Sequence, residues 1–305
     1  MQYTPTISTD LLAAGRAVIL QEQQASIALL QRHLRLGFGF ATALMRALEQ
    51  QGIVEDSGEG HFRLSDRVQD GSAGFRSWAL GRHSGCDGGD GQGAVWVLGV
   101  EHGNSPNEGS GPDAAHDGNP IARQRTYRYN VQVFKLLAAI AGMAVQDWRG
   151  FAEREQPFVK GQRGYFKGNL YPYPCWNDLL WDAEARRETG FQSKDTYRAW
   201  CRHHRFPVLS AWIGQAAPTL IIGTGIMRVQ DFVDVAFEQA PVTRQNHFVE
   251  VAGRRRRFVA VQSNGRLLVV VPHLSGSRLF AADATLQAAG TMIAGMWEAA
   301  RTPQG

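Results

Sequence analysis

Two short polar motifs each follow a run of apolar residues that is typical of a buried parallel strand. The first, Gly99-Val-Glu-His-Gly103, follows Val95–Leu98, and the second, Pro272-His-Leu-Ser-Gly-Ser-Arg278, follows Leu267–Val271. Ligands of an open parallel sheet bind beyond the carboxyl ends of its strands, so both motifs are predicted to point into one crevice. Glu101 would meet His273 there, and this pair of a carboxylate and an imidazole can do acid–base chemistry.

Structural interpretations of these polar residues remain open on the sequence alone. A glutamate after a strand can cap a helix or bind a backbone amide, and a histidine there can be structural. Arg254–Arg257 is typical of a solvated hairpin turn, with phosphate contact as the alternative. The run Arg202-His-His-Arg205 is typical of a helix surface, with metal binding as the alternative.

The chain from residue 94 onward alternates strand and helix patterns. Strands are predicted at 94–98, 165–171, 219–223 and 266–271, helices at 129–143, 197–204 and 282–300, and a hairpin that pairs 247–251 with 257–261. This order predicts an α/β fold over residues 94–305, in which a mainly parallel central sheet forms a three-layer α/β/α domain.

The first 65 residues have a different pattern. Three helices are predicted at 11–20, 27–33 and 38–50, and a hairpin follows that joins 53–54 to 61–64. Three helices and a hairpin predict a winged helix over residues 1–65. Residues 66–93 are rich in Gly, Ser and Asp and are predicted to be a connector, from which Phe75 and Trp78 pack on the second domain.

The composition narrows the class of protein. The 305 residues suggest about two domains, and 44% hydrophobic with 20% charged residues is an ordinary globular composition. No apolar run reaches the ~18 residues of a membrane span, and the first residues do not resemble a secretory signal. The three cysteines are too scattered for a disulfide framework or a metal site. We therefore expect a cytoplasmic, nucleoid-associated protein without metal, cofactor or membrane partner, and the net charge of +4 mildly favours an anionic partner.

The segment ASIALLQRHLRLG at 25–37, continued by LEQQGIV at 48–54, resembles the gamma domain of the FtsK DNA translocases. The resemblance covers residues 9–65 and implies a winged helix whose third helix lies in the major groove of duplex DNA. Where that family usually has Asn-Arg, this chain has Gly39 and Phe40. The predicted phosphate contacts are Arg32, Arg35 and Arg46, and a winged helix used for protein contacts is the alternative.

The two strand-end motifs resemble those of the uracil-DNA glycosylase superfamily. Glu101 stands at the position of that family's catalytic Asp or Asn, and His273 with Ser275 matches its second motif, although His102 and Leu274 replace prolines. The resemblance implies that Glu101 and His273 are catalytic. It implies base-binding roles for Asn169, Tyr171, Phe166 and Ser275, and DNA contacts by Leu274 and Arg278.

Glycosidic bond cleavage explains why these residue types are needed. A carboxylate stabilises the oxocarbenium-like sugar and orients water, and a histidine donates to the departing base after the base has been flipped out. The sequence thus predicts a DNA-binding protein that inspects or excises a damaged or modified base, as a DNA-repair hydrolase of N-glycosidic bonds. A non-enzymatic transcriptional regulator that senses a nucleotide or base is the main alternative, and a structural partner of chromosome-processing machinery is the other.

Overall fold

A computed structural model describes residues 7–22, 24–51, 53–58, 61–65, 73–103, 120–175, 181–238, 240–275 and 280–302. Its α-helices are α1 (Thr9–Glu22), α2 (Ile27–Leu34), α3 (Phe38–Gln50), α4 (Ala73–Ala79), α5 (Ile121–Gln124), α6 (Arg128–Ile140), α7 (Trp148–Glu155), α8 (Ala183–Thr189), α9 (Lys194–Trp200), α10 (Phe206–Ala216), α11 (Val229–Phe237) and α12 (Asp283–Arg301). Its strands are β1 (Val54–Gly58), β2 (His61–Leu64), β3 (Cys86–Gly89), β4 (Val95–Glu101), β5 (Tyr165–Tyr171), β6 (Leu220–Thr224), β7 (Thr243–Val251), β8 (Arg254–Ser263) and β9 (Arg266–Val271). None of the helices in these ranges is long and apolar enough to cross a membrane.

The chain forms two compact units, and each unit is built from two segments of the sequence. The first unit contains Met1–Leu80 and Asn177–Arg205, and the second contains Gly81–Trp176 and Phe206–Gly305. The division predicted from the sequence, at 1–65, 66–93 and 94–305, stays a prediction about domains. Within the predicted connector the structure has a helix, α4, and a strand, β3.

The winged helix forms the larger part of the first unit. Helices α1, α2 and α3 and the hairpin β1–β2 surround one apolar core, which the sequence pattern predicts from the helical spacing of Ala41, Leu44, Met45 and Leu48. Gly15 permits the close approach of α1 to α3, since a Cβ there would lie 2.7 Å from the Leu44 side chain. The three helices and the hairpin predicted from the sequence are confirmed.

Residues 181–205 belong to the same unit as the winged helix, which the sequence reasoning missed. Helix α9 begins with a capping box at Ser193, whose hydroxyl also accepts a hydrogen bond from Arg16 of α1 at 2.6 Å. The helix predicted at 197–204 begins earlier, at Lys194, and continues as a π-helix over Cys201–Arg205. Phe75 of α4 lies against an aromatic cluster of Phe191, Tyr197 and Trp200, which belongs to the same unit as the winged helix and not to the unit of the seven-stranded sheet.

The second unit contains a seven-stranded sheet of strand order β3-β5-β4-β6-β9-β8-β7. The four central strands, β5, β4, β6 and β9, are parallel, as the alternating pattern predicts. Antiparallel strands flank them, with β3 on one side and the hairpin β7–β8 on the other. The sheet is therefore mixed, because a strand within the predicted connector and a long hairpin extend it.

Helices cover both faces of this sheet. Val95 and Val97 of β4 share a core cluster with residues of α6, α7 and α12. Trp96, which alternates with them, lies against Trp212 of α10, with ring centroids 4.8 Å apart. On that second face, Gly223 of β6 leaves space for Phe232 of α11. The second unit is therefore a three-layer α/β/α arrangement around the sheet.

Candidate functional site

The carboxyl ends of the parallel strands bring the two sequence motifs to one edge of the sheet. Thr224, the last residue of β6, is in register with Gly99 of β4 on one side and with Val271 of β9 on the other. Glu101 lies two residues beyond Gly99, and His273 lies two residues beyond Val271. Neighbouring strands are about 4.8 Å apart, so two strand spacings separate the backbones of these two positions by roughly 10 Å.

A tyrosine and a threonine lie between the two motifs. The hydroxyl of Tyr129, in the first turn of α6, is 2.8 Å from Oγ1 of Thr224. The ring of Tyr129 is tilted by 35° against the imidazole of His273, with centroids 5.7 Å apart. The sequence reasoning missed both residues. The available signal was Thr224 itself, a polar residue at the carboxyl end of an apolar strand.

A lysine adds positive charge beside the tyrosine. Nζ of Lys167, on β5, lies 4.9 Å from the centroid of the Tyr129 ring and donates to Oδ1 of Asn130 at 2.8 Å. A cation over an aromatic ring is attracted by the ring's negative face. Lys167 and Tyr129 therefore support each other's position next to the strand ends.

His273 is held by the serine of its own motif. Oγ of Ser275 lies 3.0 Å from Nδ1 of His273. His273 is exposed overall. Partial desolvation of its imidazole nevertheless lowers the pKa of the ring below its ordinary value, because burial penalises the charged form. A neutral imidazole carries one N–H donor, and when the Ser275 hydroxyl donates to Nδ1, that donor is Nε2–H.

Glu101 ends β4 and is half-buried, in register with Tyr171 of β5. The chain beyond it is fixed by a hydrogen bond from the backbone N–H of Cys175 to the carbonyl of His102, at 2.9 Å. Strand alternation puts Glu101 on the same face as Gly99 and Thr224, which is the face covered by α6. The carboxylate therefore lies on the Tyr129 side of the sheet.

The three residues predicted to bind a base from β5 are buried in protein contacts. Asn169 donates its amide to the carbonyl of Gly85 at 2.9 Å. Phe166 packs between Trp96 and Trp212, at centroid distances of 4.4 and 4.8 Å. The hydroxyl of Tyr171 donates to Asp231 at 2.7 Å, and its side chain is fully buried.

Two further residues of the second motif were predicted to contact DNA. Leu274 is fully buried in the core cluster below the sheet edge, so in this conformation its side chain offers no surface to DNA. The core position explains why an apolar residue stands between the polar His273 and Ser275. Arg278 lies outside the described residues.

The winged helix presents its predicted phosphate contacts differently from one another. Arg32 is exposed on α2, and Arg35 is exposed directly after it, in the left-handed region with φ of 52°. Arg46 of α3 instead binds the carboxylates of Glu49 and Asp56, each at 2.8 Å. Two carboxylates thus offset the charge of Arg46, whereas the structure shows no ion pair for Arg32 or Arg35 among the described residues.

The start of α3 is apolar and exposed. Phe38 and Phe40 are 66% and 42% exposed, and glycines at 37 and 39 precede each of them. These aromatic rings stand in the region from which a third helix of this kind would reach base edges. Contacts from this turn of the helix would therefore be apolar rather than bidentate hydrogen bonds.

Comparison with known proteins supports the assignment of the first segment. Residues 8–63 match the family model described as the Ftsk gamma domain. The match covers α1 to β2, the three helices and hairpin described above. No curated protein matches the chain.

Proposed function

We propose that the protein binds duplex DNA through its winged helix and inspects or excises a damaged or modified base with its second unit. The gamma-domain match and the exposed Arg32 and Arg35 support the DNA-binding part. One observation carries the base-processing part. Glu101 and His273 each follow, by two residues, a strand position that is in register with Thr224, so they lie on either side of Thr224 at the sheet edge.

The proposed reaction is hydrolysis of an N-glycosidic bond. The carboxylate of Glu101 stabilises positive charge on the sugar and orients the attacking water. Nε2–H of His273 donates to the departing base and stabilises its negative charge. Ser275 positions the imidazole of His273 through its contact with Nδ1. The lowered pKa of His273 keeps the ring neutral at pH 7, and the neutral ring donates a hydrogen bond to the base from Nε2–H.

A base-release assay with the full chain tests this function. Duplexes that each carry one damaged or modified base are incubated with the protein, and free base is separated and quantified. We expect release from at least one member of the panel. If no base is released while the protein still binds the duplexes, the hydrolase proposal is wrong and the DNA-binding proposal stands.

A second candidate is a transcriptional regulator that senses a nucleotide or base without cleaving it. The observation that favours it is the engagement of Asn169, Phe166 and Tyr171 with the protein itself, which leaves the base-reading contacts to other groups. Titration of the protein with free nucleobases and nucleotides, followed by Trp fluorescence, tests it. Binding without any base release supports the regulator.

A further inference from the structure

The hairpin β7–β8 extends beyond the rest of the sheet. β8 pairs with β9 only from Val259, opposite Val270, to Ser263, opposite Arg266. Residues 254–258 of β8 pair with β7 alone among the described strands. Residues 247–258 therefore form a two-stranded segment, the arginine ribbon, with its turn at Ala252 and Gly253. One face of the ribbon packs on the core through Val249 and Phe258, and the other face is exposed.

The turn explains why the ribbon is regular. Ala252 and Gly253 have φ of 51° and 68°, so both central residues lie in the left-handed region. Two such residues between paired strands form the tight connection whose twist matches that of the strands. At about 3.4 Å per residue, the five residues 254–258 span about 17 Å.

Four consecutive arginines, Arg254–Arg257, lie on one strand of the ribbon. The acidic residue of the ribbon, Glu250, lies on the other strand. Strand alternation distributes them, with Arg255 and Arg257 on one face and Arg254 and Arg256 on the other. Among the described residues, no carboxylate lies within ion-pair distance of Arg254, Arg255 or Arg257. This differs from Arg46, whose charge two carboxylates offset.

An exposed aromatic ring accompanies the arginines. Phe248, opposite Arg257, is 42% exposed, and the guanidinium of Arg255 lies 4.1 Å from its centroid. The stacking holds Arg255 flat against the ribbon, so less side-chain freedom is lost when it binds an anion. The ribbon is thus an ordered array of cations.

The ribbon projects from the edge of the sheet that carries the candidate site. β8 is antiparallel to β9, so the path from Val259 back to Arg254 continues in the direction in which β9 runs toward His273. Its arginines therefore lie beyond the carboxyl end of β9, the strand that leads to His273.

We propose that the arginine ribbon is a second DNA-binding element, which holds the phosphates of duplex DNA beside the sheet edge. The exposed face of the ribbon carries Arg255 and Arg257, and these two guanidinium groups would meet the phosphates of a duplex laid along that face. Guanidinium groups bind phosphate oxygens in a bidentate way. The relation to a base-processing site rests on the proposed function, whereas the phosphate contact does not.

The test compares salt-dependent DNA binding of full-length variants. Arg255→Gln/Arg257→Gln removes two ribbon charges, and Arg149→Gln/Arg163→Gln removes two exposed charges elsewhere in the same unit. Affinity for a labelled duplex is measured by fluorescence anisotropy at several salt concentrations. Losing two phosphate contacts should reduce the slope of log K against log salt by about 1.8 and weaken binding on the order of fiftyfold at 0.1 M salt.

The matched control should bind like the wild type, and Arg255→Lys/Arg257→Lys, which keeps both charges, should keep the wild-type slope. An unchanged slope for the Gln variant overturns the proposal, as does a full chain that binds no duplex at low salt. Loss of binding to anionic lipid vesicles, with DNA binding intact, overturns it in favour of a membrane surface. A Gln variant that loses affinity for single-stranded DNA but keeps its affinity for the duplex also contradicts the proposal.

A further arm separates this proposal from that for the winged helix. Arg32→Gln/Arg35→Gln is measured in the same assay. If only this variant weakens binding, the ribbon proposal is wrong and the winged-helix proposal stands. If only the ribbon variant weakens binding, the reverse holds.

Discussion

The hydroxyl of Tyr129 at the start of α6 lies 2.8 Å from Oγ1 of Thr224 at the end of β6, and this contact ties a helix to the strand between the two candidate catalytic positions. Thr224 is fully buried, so water cannot replace the tyrosine as a hydrogen-bond partner if this contact is lost. The same tyrosine faces His273. The pair therefore joins the α6 layer to the candidate site.

A double-mutant cycle with Tyr129→Phe, Thr224→Val and the double variant measures this contact. We expect a coupling free energy of about 0.5–1.5 kcal/mol, because the two hydroxyls share a hydrogen bond that is shielded from water on the Thr224 side. Urea unfolding of the four proteins provides the values. Strictly additive losses would show that the two groups do not stabilise each other.

Loss of either candidate catalytic group should slow base release on any duplex that the wild type cleaves. For Glu101→Gln and for His273→Ala we expect a decrease of about a hundredfold or more, the usual scale for one acid–base or electrostatic group. Glu298→Gln, on the exposed face of α12, is the control for removing a carboxylate. If both site variants keep the full rate, the catalytic assignment fails.

The winged helix should contribute phosphate contacts through Arg32 and Arg35. Their replacement by Gln in the full chain should lower the salt slope of duplex binding by about 1.8, since each contact contributes about 0.9. Arg186→Gln/Arg187→Gln on α8 is the control of equal charge in the same unit. Arg46→Gln should change the slope less, because Glu49 and Asp56 already offset its charge. Equal effects of all three variants would contradict this interpretation.

Helices α6 and α12 pack so closely that a methyl group does not fit between them. A Cβ on Gly290 would lie 2.3 Å from Cβ of Ala139 and 3.0 Å from its backbone carbon. Gly290→Ala should therefore lower the free energy of unfolding by about 1–3 kcal/mol through overpacking. Gly295→Ala in the same helix meets nothing within 4 Å and should raise stability by about 0.5–1 kcal/mol. The opposite order of the two variants in thermal unfolding would refute the close packing.

The lowered pKa of His273 predicts a pH dependence of stability. The unfolded chain takes up a proton near the ordinary pKa of 6.5, whereas the folded chain does so only at lower pH. The contribution of the neutral ring is therefore fully present above pH 6.5 and is lost as the pH falls through the folded pKa. The urea concentration at the unfolding midpoint should decrease more from pH 8 to pH 5 for the wild type than for His273→Gln. Equal decreases would show that His273 is not desolvated.

Local patterns were sufficient to predict much of the fold. The helical spacing of Ala41, Leu44, Met45 and Leu48 and the turn after β1 predict the winged helix because periodicity within one segment reports which side is buried. The apolar runs before Glu101 and His273 predict strands whose ends carry polar groups. A parallel arrangement then follows from the alternation of strands and helices.

The partners of these elements were decided by the tertiary structure. Apolar periodicity shows that a face is buried but not what covers it, so the inclusion of residues 181–205 in the first unit left no local signal. Strand register is a non-local property, and it placed Thr224 between the two motifs. The packing of α6 on the sheet then placed Tyr129 against Thr224. Burial separated Leu274 from the exposed His273 one residue away, because consecutive side chains at the end of a strand face different surroundings. The sequence by itself thus determined which segments form helices and strands and which polar residues end them, whereas long-range packing decided which of those residues meet.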